Sequence, residues 1–105
     1  MSLEKFVPKE KTLDDTVFEI LDRNKNMIVP WYMMAAYAYY VQDDPIISDS
    51  LFDRMAKMML EQWEEIEHKH KHHITKSDLE GGSYLGEYPI IIHGAVESAR
   101  KIYRD

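Results

Sequence analysis

The 105-residue sequence contains no cysteine, only four glycines and four prolines, and no long apolar run. The lack of cysteine excludes disulfides, thiolate zinc sites and thiol nucleophiles, and it fits a reducing compartment, so we expect a cytoplasmic protein. No segment approaches the roughly 20 apolar residues that a membrane-spanning helix needs, and the opening MSLEKFVPKE lacks the apolar core of a signal peptide. We therefore expect no contact with a membrane.

Positive charge is also scarce. The chain has 13 Lys and Arg residues against 19 Asp and Glu residues, which gives a formal net charge of -6. The basic residues are spread thinly, so no basic stripe is available to neutralise a phosphate backbone. Direct binding to DNA or RNA is therefore not expected.

What the chain does contain is typical of a small folded domain, with 45% hydrophobic residues. Because a chain of this length builds one core, we predict a single domain over residues 12–105. Residues 1–11, with Pro8 among charged side chains, are predicted to form an extended arm. The spacing of apolar residues predicts an all-α fold, a small bundle of about four helices with a Gly-rich loop before the last one.

The first two predicted helices have recognisable start signals. Thr12 is followed three positions later by Asp15, as in a capping box. The polar run RNKN ends this helix, and Asn24 or Asn26 is expected to adopt a left-handed cap. Pro30 suits the first turn of the second helix, which is apolar almost all round and should be the most buried one.

The third helix is predicted to be long, because apolar residues recur at helical spacing through residues 48–70. Ser48 or Asp49 caps its start, and it should run for about six turns. The stretch TKSDLEGGSYLGEYP is predicted to be a loop by its Gly, Ser and Pro content. A terminal helix is predicted from Pro89 or Ile92.

A cluster of aromatic and acidic residues lies around the turn between the second and third helices, in YAYYVQDDPIISDSLFDR. Asp49 and Asp53 are four positions apart, so both carboxylates share one face of the third helix's first turn, beside Phe52. Tyr39 and Tyr40 end the preceding helix, a tight turn away. The pattern predicts a plate of rings with a carboxylate rim at a helix N-terminus.

Such a plate suits a flat cation. A pyridinium ring gains roughly 0.5 to 2 kcal/mol from aromatic faces, carboxylates accept hydrogen bonds from hydroxyl and amide groups, and backbone N–H groups at a helix start bind phosphate. A nicotinamide nucleotide carries all of these groups. The alternative is that the tyrosines only pack and the aspartates only cap the helix, which is the ordinary use of both residue types.

The histidine-rich run HKHKHH offers a second candidate site. His68 and His72 are four positions apart and would bind a metal with Glu64 or Glu65 if the third helix extended that far. At an exposed helix end that also carries lysines, these residues fit better as cations that favour the helix dipole, so no metal site is expected. His93 is expected to be packed or half-buried on the last helix.

The stretch YAYYVQDDPIISDSLFDRMAKMMLEQWEEIEHKHKHHITKSD resembles the small N-terminal domain, called Ia, of bacterial NAD-dependent DNA ligases. The pattern of that family is approximately YY-x-x-D-x-P-x-I-S-D-x-x-YD-x-L, followed by a helix, E-x-x-HP and T-x-D-S. The resemblance covers roughly residues 35–80. It implies a helical unit that closes over NAD, contacts the nicotinamide mononucleotide (NMN) half and helps an adenylation domain transfer AMP to its lysine.

The resemblance also implies which residues bind the nucleotide. Tyr39 matches the first contacting tyrosine of the family, and Tyr40 stands where the family has tyrosine or histidine. Asp49 and Asp53 match the two aspartates of the pattern. Phe52 departs from it, because the family has a tyrosine there, so stacking is retained and a hydroxyl is lost.

No catalytic residue is expected in this chain. The ligases form their lysine adenylate at a KxDG motif in a large nucleotidyltransferase domain, whereas this chain contains only KSDL at residues 76–79, expected to be loop. The chain is therefore not expected to be a ligase by itself. An independent enzyme acting on nicotinamide nucleotides is also disfavoured, since no nucleophile–base pair, phosphate-binding Gly loop or metal set is visible.

Two hypotheses remain. In the first, a free-standing Ia-like domain, viral (phage) in origin given its brevity, recognises NAD or NMN and assists a separate ligase or adenylation polypeptide in DNA replication and repair. In the second, a protein-interaction module keeps the scaffold without nucleotide binding and docks on a replication protein, or on a second copy as a homodimer. Trp31, Tyr32 and the methionine-rich third helix would supply its adhesive surface.

Overall fold

The computed structural model of the protein describes residues 12–81 and 88–104. Within these ranges the chain contains no strand, and the predicted all-α fold is confirmed. The predicted arm at residues 1–11, and residues 82–87 of the predicted Gly-rich loop, lie outside the described residues. The described α-helices are Leu13–Arg23 (α1), Ile28–Ala36 (α2), Asp49–Glu61 (α3), Lys76–Glu80 (α4) and Ile90–Arg104 (α5). None of these described helices is long and apolar enough to cross a membrane.

The start of α1 is the predicted capping box. Thr12 Oγ1 accepts a hydrogen bond from the Asp15 N–H at 3.2 Å, and the Thr12 N–H donates to Asp15 Oδ2 at 3.1 Å. The end of α1 differs from the prediction, because Asn24 is extended (φ -151°) and its side chain accepts from the Asn26 N–H. That contact caps a 3-10 turn, Lys25–Met27, which leads directly into α2. A left-handed cap is wrong here because the next helical segment begins at once.

The central helix is α2, whose buried side chains face in nearly every direction, as its apolar sequence predicts. Pro30 lies in its first turn, where a missing N–H costs no hydrogen bond. The helix continues into a wider π-helical turn, Tyr37–Val41, closed by a hydrogen bond from the Gln42 N–H to Tyr37 O at 3.1 Å. This turn carries the two tyrosines of the candidate site.

The third helix is shorter than predicted, because α3 ends at Glu61 and not near residue 70. The chain turns after the helix so that Ile66 enters the core, where it is fully buried. Lys71 then folds back on this turn. Its Nζ donates to Trp63 O at 2.6 Å and lies 4.5 Å from the centroid of the Trp63 ring. These tertiary contacts outweigh the helical propensity of the following residues.

The segment KSDL was expected to be loop and instead forms most of α4, so that prediction is wrong. Thr75 Oγ1 accepts from the Asp78 N–H at 3.1 Å, and the Thr75 N–H donates to Asp78 Oδ2 at 2.9 Å. This is a second capping box, and its T-x-x-D spacing is visible in the sequence. The last helix begins at Ile90, between the two predicted starting points.

The buried side chains form one cluster, to which every described helix contributes. Tyr32 and the α3 residues Met55 and Met59 are fully buried in it. They therefore cannot supply the adhesive surface that the interaction hypothesis assigns to them, although Trp31 remains partly exposed. The third helix presents its methionines to the core, which is the commoner use of a methionine stripe.

Candidate functional site

The π-helical turn presents the two adjacent tyrosines at the surface. Tyr39 is 40% exposed and Tyr40 is 37% exposed, so neither ring is sunk in the interior. Their ring centroids are 4.8 Å apart with the planes at 81°, an edge-to-face pair. π-Helical turns occur frequently at functional sites. The turn places both rings on the same surface as the start of α3.

Phe52 joins the two tyrosines into one ring cluster. Its centroid lies 6.1 Å from that of Tyr39 and 6.2 Å from that of Tyr40. On its other side Phe52 stacks on the buried Tyr32 ring, with centroids 5.0 Å apart and planes only 4° from parallel. The stack fixes the plane of Phe52, so the cluster is supported from the core. We call Tyr39, Tyr40 and Phe52 the ring cluster.

The two aspartates lie beside the ring cluster in different ways. Asp49, the first residue of α3, lines a small depression together with Tyr39 and Phe52. Asp53 lies one turn later and is exposed, with Oδ2 3.3 Å from Lys57 Nζ. Asp49 is therefore in place to contact a group that rests on the rings, whereas the Asp53 carboxylate forms an ion pair with Lys57.

The depression measures about 10 Å³, too small to enclose even one aromatic ring. A nucleotide would therefore rest on the ring cluster as on an open face. This geometry fits a flat ring that lies on the exposed rings. A pyridinium cation fits it chemically, because the rings offer their π faces and the carboxylates lie at the edge.

Asp14 anchors the start of α3, a contact that sequence reasoning missed. Its Oδ1 accepts from the Ser48 N–H at 3.0 Å and its Oδ2 accepts from Ser48 Oγ at 2.6 Å. Ser48 Oγ in turn accepts from the Leu51 N–H at 3.1 Å, which confirms Ser48 as the cap of α3. The first turn of α3, which carries Asp49, is thus tied to α1.

Arg100 of α5 anchors the turn that precedes α3, and sequence reasoning missed this contact as well. Its Nη1 donates to Gln42 Oε1 at 2.6 Å, and its Nη2 donates to Asp44 O. Its Nε lies 3.3 Å from Asp44 Oδ2, within ion-pair distance. The turn also contains Asp43, whose φ of 53° is left-handed. Arg100 therefore holds the link between the ring cluster and the aspartates.

The histidines do not form the alternative metal site. His68 precedes a 3-10 turn that contains His72, so the two residues are not on one helix as that site requires. No group of three or more potential ligands is close enough to hold a metal among the residues that the structure describes. His93, expected to be packed or half-buried, is exposed on α5, with its ring stacked 4.5 Å from that of Tyr37.

Residues 32–77 match the model of a family described as the DNA ligase-like, N-terminal NAD+-binding domain. The matched range contains the whole ring cluster and both aspartates, and it excludes α1 and α5. The comparison with curated proteins gave no match, and the comparison with solved structures gave none either. The motif-based resemblance to domain Ia is thus confirmed over residues 32–77, which are similar to DNA ligase-like N-terminal NAD+-binding domains.

Proposed function

We propose that this domain recognises the nicotinamide nucleotide half of NAD+ and presents it to a separate polypeptide that carries the adenylating lysine. The observation that carries the proposal is the exposed ring cluster of Tyr39, Tyr40 and Phe52, which lies beside Asp49 and Asp53. The family match supports the same ligand class. A place in DNA replication or repair follows from this proposal.

The ring cluster would hold the nicotinamide ring by stacking and by cation–π attraction. Tyr39 and Tyr40 stand edge to face, so a flat ligand rests on one ring and meets the edge of the other. Phe52 supplies area without a hydroxyl. The family has a tyrosine at that position, so any hydrogen bond that its hydroxyl would make to the ligand is absent here.

The carboxylates would orient the ligand. Asp49 accepts hydrogen bonds from ribose hydroxyls or from the carboxamide of a ring that rests on Tyr39. Asp53 contributes the same chemistry one turn further along α3, with Lys57 as its present ion-pair partner. The bound NAD+ supplies the AMP group that the lysine of the adenylating polypeptide accepts. Fixing the nucleotide in one orientation lowers the entropic cost of that transfer.

The KSDL segment is the only stretch that resembles the adenylation motif of the ligases, and its lysine and aspartate are both engaged within the described part of the chain. In the KSDL segment, Lys76 Nζ is 3.3 Å from Glu64 Oε2 and the Asp78 carboxylate is used by the α4 capping box. Both side chains are therefore structural. We therefore assign the chain a binding and positioning function, with the lysine adenylate formed on a separate polypeptide.

The proposal is tested by titrating the isotope-labelled protein with NMN and following backbone amide resonances. We expect shifts at Tyr39, Tyr40 and Asp49 with a dissociation constant in the millimolar range or below. Reduced NMN, whose ring carries no positive charge, should bind more weakly. Absence of any shift at these residues in millimolar NMN would contradict the proposal.

Variants separate the contributions of the acids and the rings. Asp49→Asn removes one charge-assisted contact and should weaken NMN binding by about fivefold, which corresponds to roughly 1 kcal/mol. Phe52→Tyr restores the family hydroxyl and should strengthen binding. Asp22→Asn, at an exposed aspartate on α1 away from the rings, is the matched control and should leave the affinity unchanged.

A second candidate function is docking on a replication protein through the same exposed rings. The observation that favours it is the small depression, which buries little of any ligand. A pull-down with a discrete partner that neither NAD+ nor NMN affects would favour this candidate. Loss of that partner on Tyr40→Ala would locate the contact at the ring cluster.

A further inference from the structure

An apolar groove lies away from the ring cluster. It measures about 500 Å³ and is lined by α1, α2, α5 and residues 68–70. Among the described residues, it shares no lining residue with the depression beside Asp49. Its volume is within the range of protein binding sites, and its walls are mostly apolar. The proposed nucleotide function leaves this surface unexplained.

The α5 wall of the groove has the residue spacing of a helix-packing seam. Ile91, Ala95, Ser98 and Ile102 line it at intervals of four, three and four residues. These are the intervals of the a and d positions in a coiled coil. Ile91 and Ile102 remain 64% and 70% exposed, while the small residues between them let another backbone approach closely. The seam is about 16 Å long, at 1.5 Å per residue.

The floor of the groove is built from one face of α2 and the turn before it. Met27, Trp31 and Met34 line it at intervals of four and three residues. Tryptophan is enriched among the residues that dominate interface energy, and methionine adapts its shape to a partner. Thr16 and Ile20 of α1 also line the groove. A helix placed between α1 and α5 would therefore contact three helices.

The charged residue at the edge of the groove is basic, whereas the chain as a whole carries a net negative charge. None of the described residues that line it is acidic, although acidic residues outnumber basic ones 19 to 13 in the chain. Its polar edge consists of His68, Lys69 and His70. Lys69 forms no ion pair with any described residue. His68 Nδ1 accepts from the His70 N–H at 3.1 Å, which leaves its Nε2 to donate outward.

We propose that the groove binds an amphipathic helix of a partner protein, with apolar residues at a and d spacing and with Asp or Glu residues along the flank that meets residues 68–70. The seam selects a helix, and the Lys69 ammonium at the edge of the groove selects acidic flanks. This interaction does not depend on nucleotide binding, because the described linings of the two sites have no residue in common.

The α5 helix of a second copy has the a and d spacing that fits the seam, but it lacks the acidic flank that Lys69 would bind. Glu97 is the one acidic residue in the sequence of α5, and its Oε2 accepts from Gln42 Nε2 at 3.0 Å and from Arg100 Nη1 at 3.2 Å. An α5 from another copy therefore brings no free carboxylate to Lys69. The formal charge of -6 on each copy also opposes self-association.

The test uses synthetic peptides of about 18 residues that share a leucine seam at a and d positions. One peptide carries glutamate on its flanks and the other carries lysine. Trp31 fluorescence reports binding in a Trp63→Phe protein, since the chain has two tryptophans. We expect the acidic peptide to bind at least tenfold more tightly than the basic one at low salt, with the difference shrinking as salt is added.

Variants on the groove make the test specific. Ala95→Gln fills the middle of the seam and should weaken binding of the acidic peptide at least tenfold, with an unchanged far-UV circular dichroism spectrum. Lys69→Glu should reverse the preference between the two peptides. Arg23→Glu, an equal charge change at an exposed residue outside the groove, is the control and should preserve the preference.

Several results would overturn the proposal. Equal binding of the two peptides would remove the charge argument, and an unchanged affinity in Ala95→Gln would place the contact elsewhere. Binding of dodecanoate without binding of either peptide would identify the groove as a site for small amphiphilic anions. A dimer in sedimentation that Ala95→Gln dissociates would assign the groove to a second copy. These outcomes are independent of the nucleotide proposal, because they are expected to be the same in Asp49→Asn even if this variant does not bind NMN.

Discussion

The residue beneath the ring cluster, Tyr32, contains an unusual buried group. Its side chain has no exposed surface, and its hydroxyl forms no hydrogen bond with a described residue. Burial raises the pKa of this hydroxyl far above its usual value, so it remains neutral. A buried hydroxyl without a partner costs roughly 1 to 3 kcal/mol. Tyr32 therefore supports Phe52 through its ring and not through its oxygen.

Replacing Tyr32 by phenylalanine should stabilise the protein. The ring stack with Phe52 is kept and the unpaired hydroxyl is removed, so we expect the free energy of unfolding to rise by about 1 kcal/mol and the melting temperature by about 4 °C. Urea denaturation measures the first and calorimetry the second. Tyr39→Phe removes an exposed hydroxyl and should change stability by less than about 0.5 kcal/mol. Destabilisation by Tyr32→Phe would show that the hydroxyl has a partner.

His68 is expected to make stability depend on pH. Burial, with a smaller contribution from Lys69, holds the pKa of His68 below its ordinary value of 6.5, and the pKa of His70 is lowered in the same way. The unfolded chain therefore takes up protons before the folded one, and stability falls as pH decreases below 6.5 through the folded pKa. Protonation of His68 at Nδ1 would also remove its hydrogen bond from the His70 N–H.

His68→Asn should reduce this dependence, because an amide oxygen can accept the same hydrogen bond without titrating. We expect the difference in unfolding free energy between pH 7.5 and pH 5.5, measured in urea, to be smaller in the variant. His93→Asn on α5 is the control and should keep the wild-type dependence, since His93 does not contact this segment. An unchanged pH profile in His68→Asn would show that another group carries the effect.

The sequence predicts which residues form the proposed site, but it does not predict the residues that hold them in place. The motif brings Tyr39, Phe52 and Asp49 together, because adjacent helix ends joined by a tight turn must lie close in space. Asp14 and Arg100 are far from these residues in sequence, so no local spacing could identify them. Asp14 looks like an ordinary first-turn acid, and its bonds to Ser48 arise only when α1 packs beside α3.

At the scale of the helices, the N-terminal caps could be predicted from the sequence, but the C-terminal end of α3 could not. The boxes of α1 and α4 are local in sequence, and the T-x-x-D pattern at Thr75 would have predicted α4. The end of α3 depends on distant contacts. Lys25 Nζ donates a hydrogen bond to Glu65 Oε1 at 2.7 Å, and Asn26 Oδ1 accepts a hydrogen bond from the Glu67 N–H at 2.8 Å. These bonds hold the turn after α3 against the turn before α2, which periodicity cannot reveal.

Arg100→Ala should loosen the link between α2 and α3. The side chain of Arg100 is only 14% exposed and bonds Gln42 and Asp44, so its removal should cost about 2 kcal/mol of unfolding free energy. Arg100→Lys keeps the charge and loses the planar guanidinium group. Its free energy of unfolding should lie between those of Arg100→Ala and the wild type. The measurement is urea denaturation combined with hydrogen exchange of the Asp44 amide, which donates to Ala38 O at 2.8 Å.

Lys101→Ala on the same helix provides the control for Arg100. Lys101 is exposed, so this change should alter stability by less than about 0.5 kcal/mol. Wild-type exchange at Asp44 in Arg100→Ala would show that the turn holds its shape without α5. Faster exchange there, with little global destabilisation, would show a local opening next to the candidate site.

The whole molecule extends beyond the family-matched segment. Residues 32–77 carry the ring cluster and the aspartates, but the core that supports them also needs α1 and α5. Val17 of α1 and Val96 of α5 are fully buried in the same cluster as Tyr32. The proposed binding face therefore depends on helices outside the motif that identifies it.

A fragment of residues 32–77 should consequently fail to fold. It would expose the core surface that α1 and α5 cover, and a chain of this length rarely buries enough apolar area to offset its conformational entropy. We expect weak helical circular dichroism and no cooperative melting for the fragment, against a cooperative transition for the full chain. Val96→Asp in the full chain imitates the loss of α5 by burying an unpaired charge, and it should destabilise by more than about 3 kcal/mol. Cooperative melting of the fragment, with NMN binding retained, would show that α1 and α5 are additions to a self-sufficient domain.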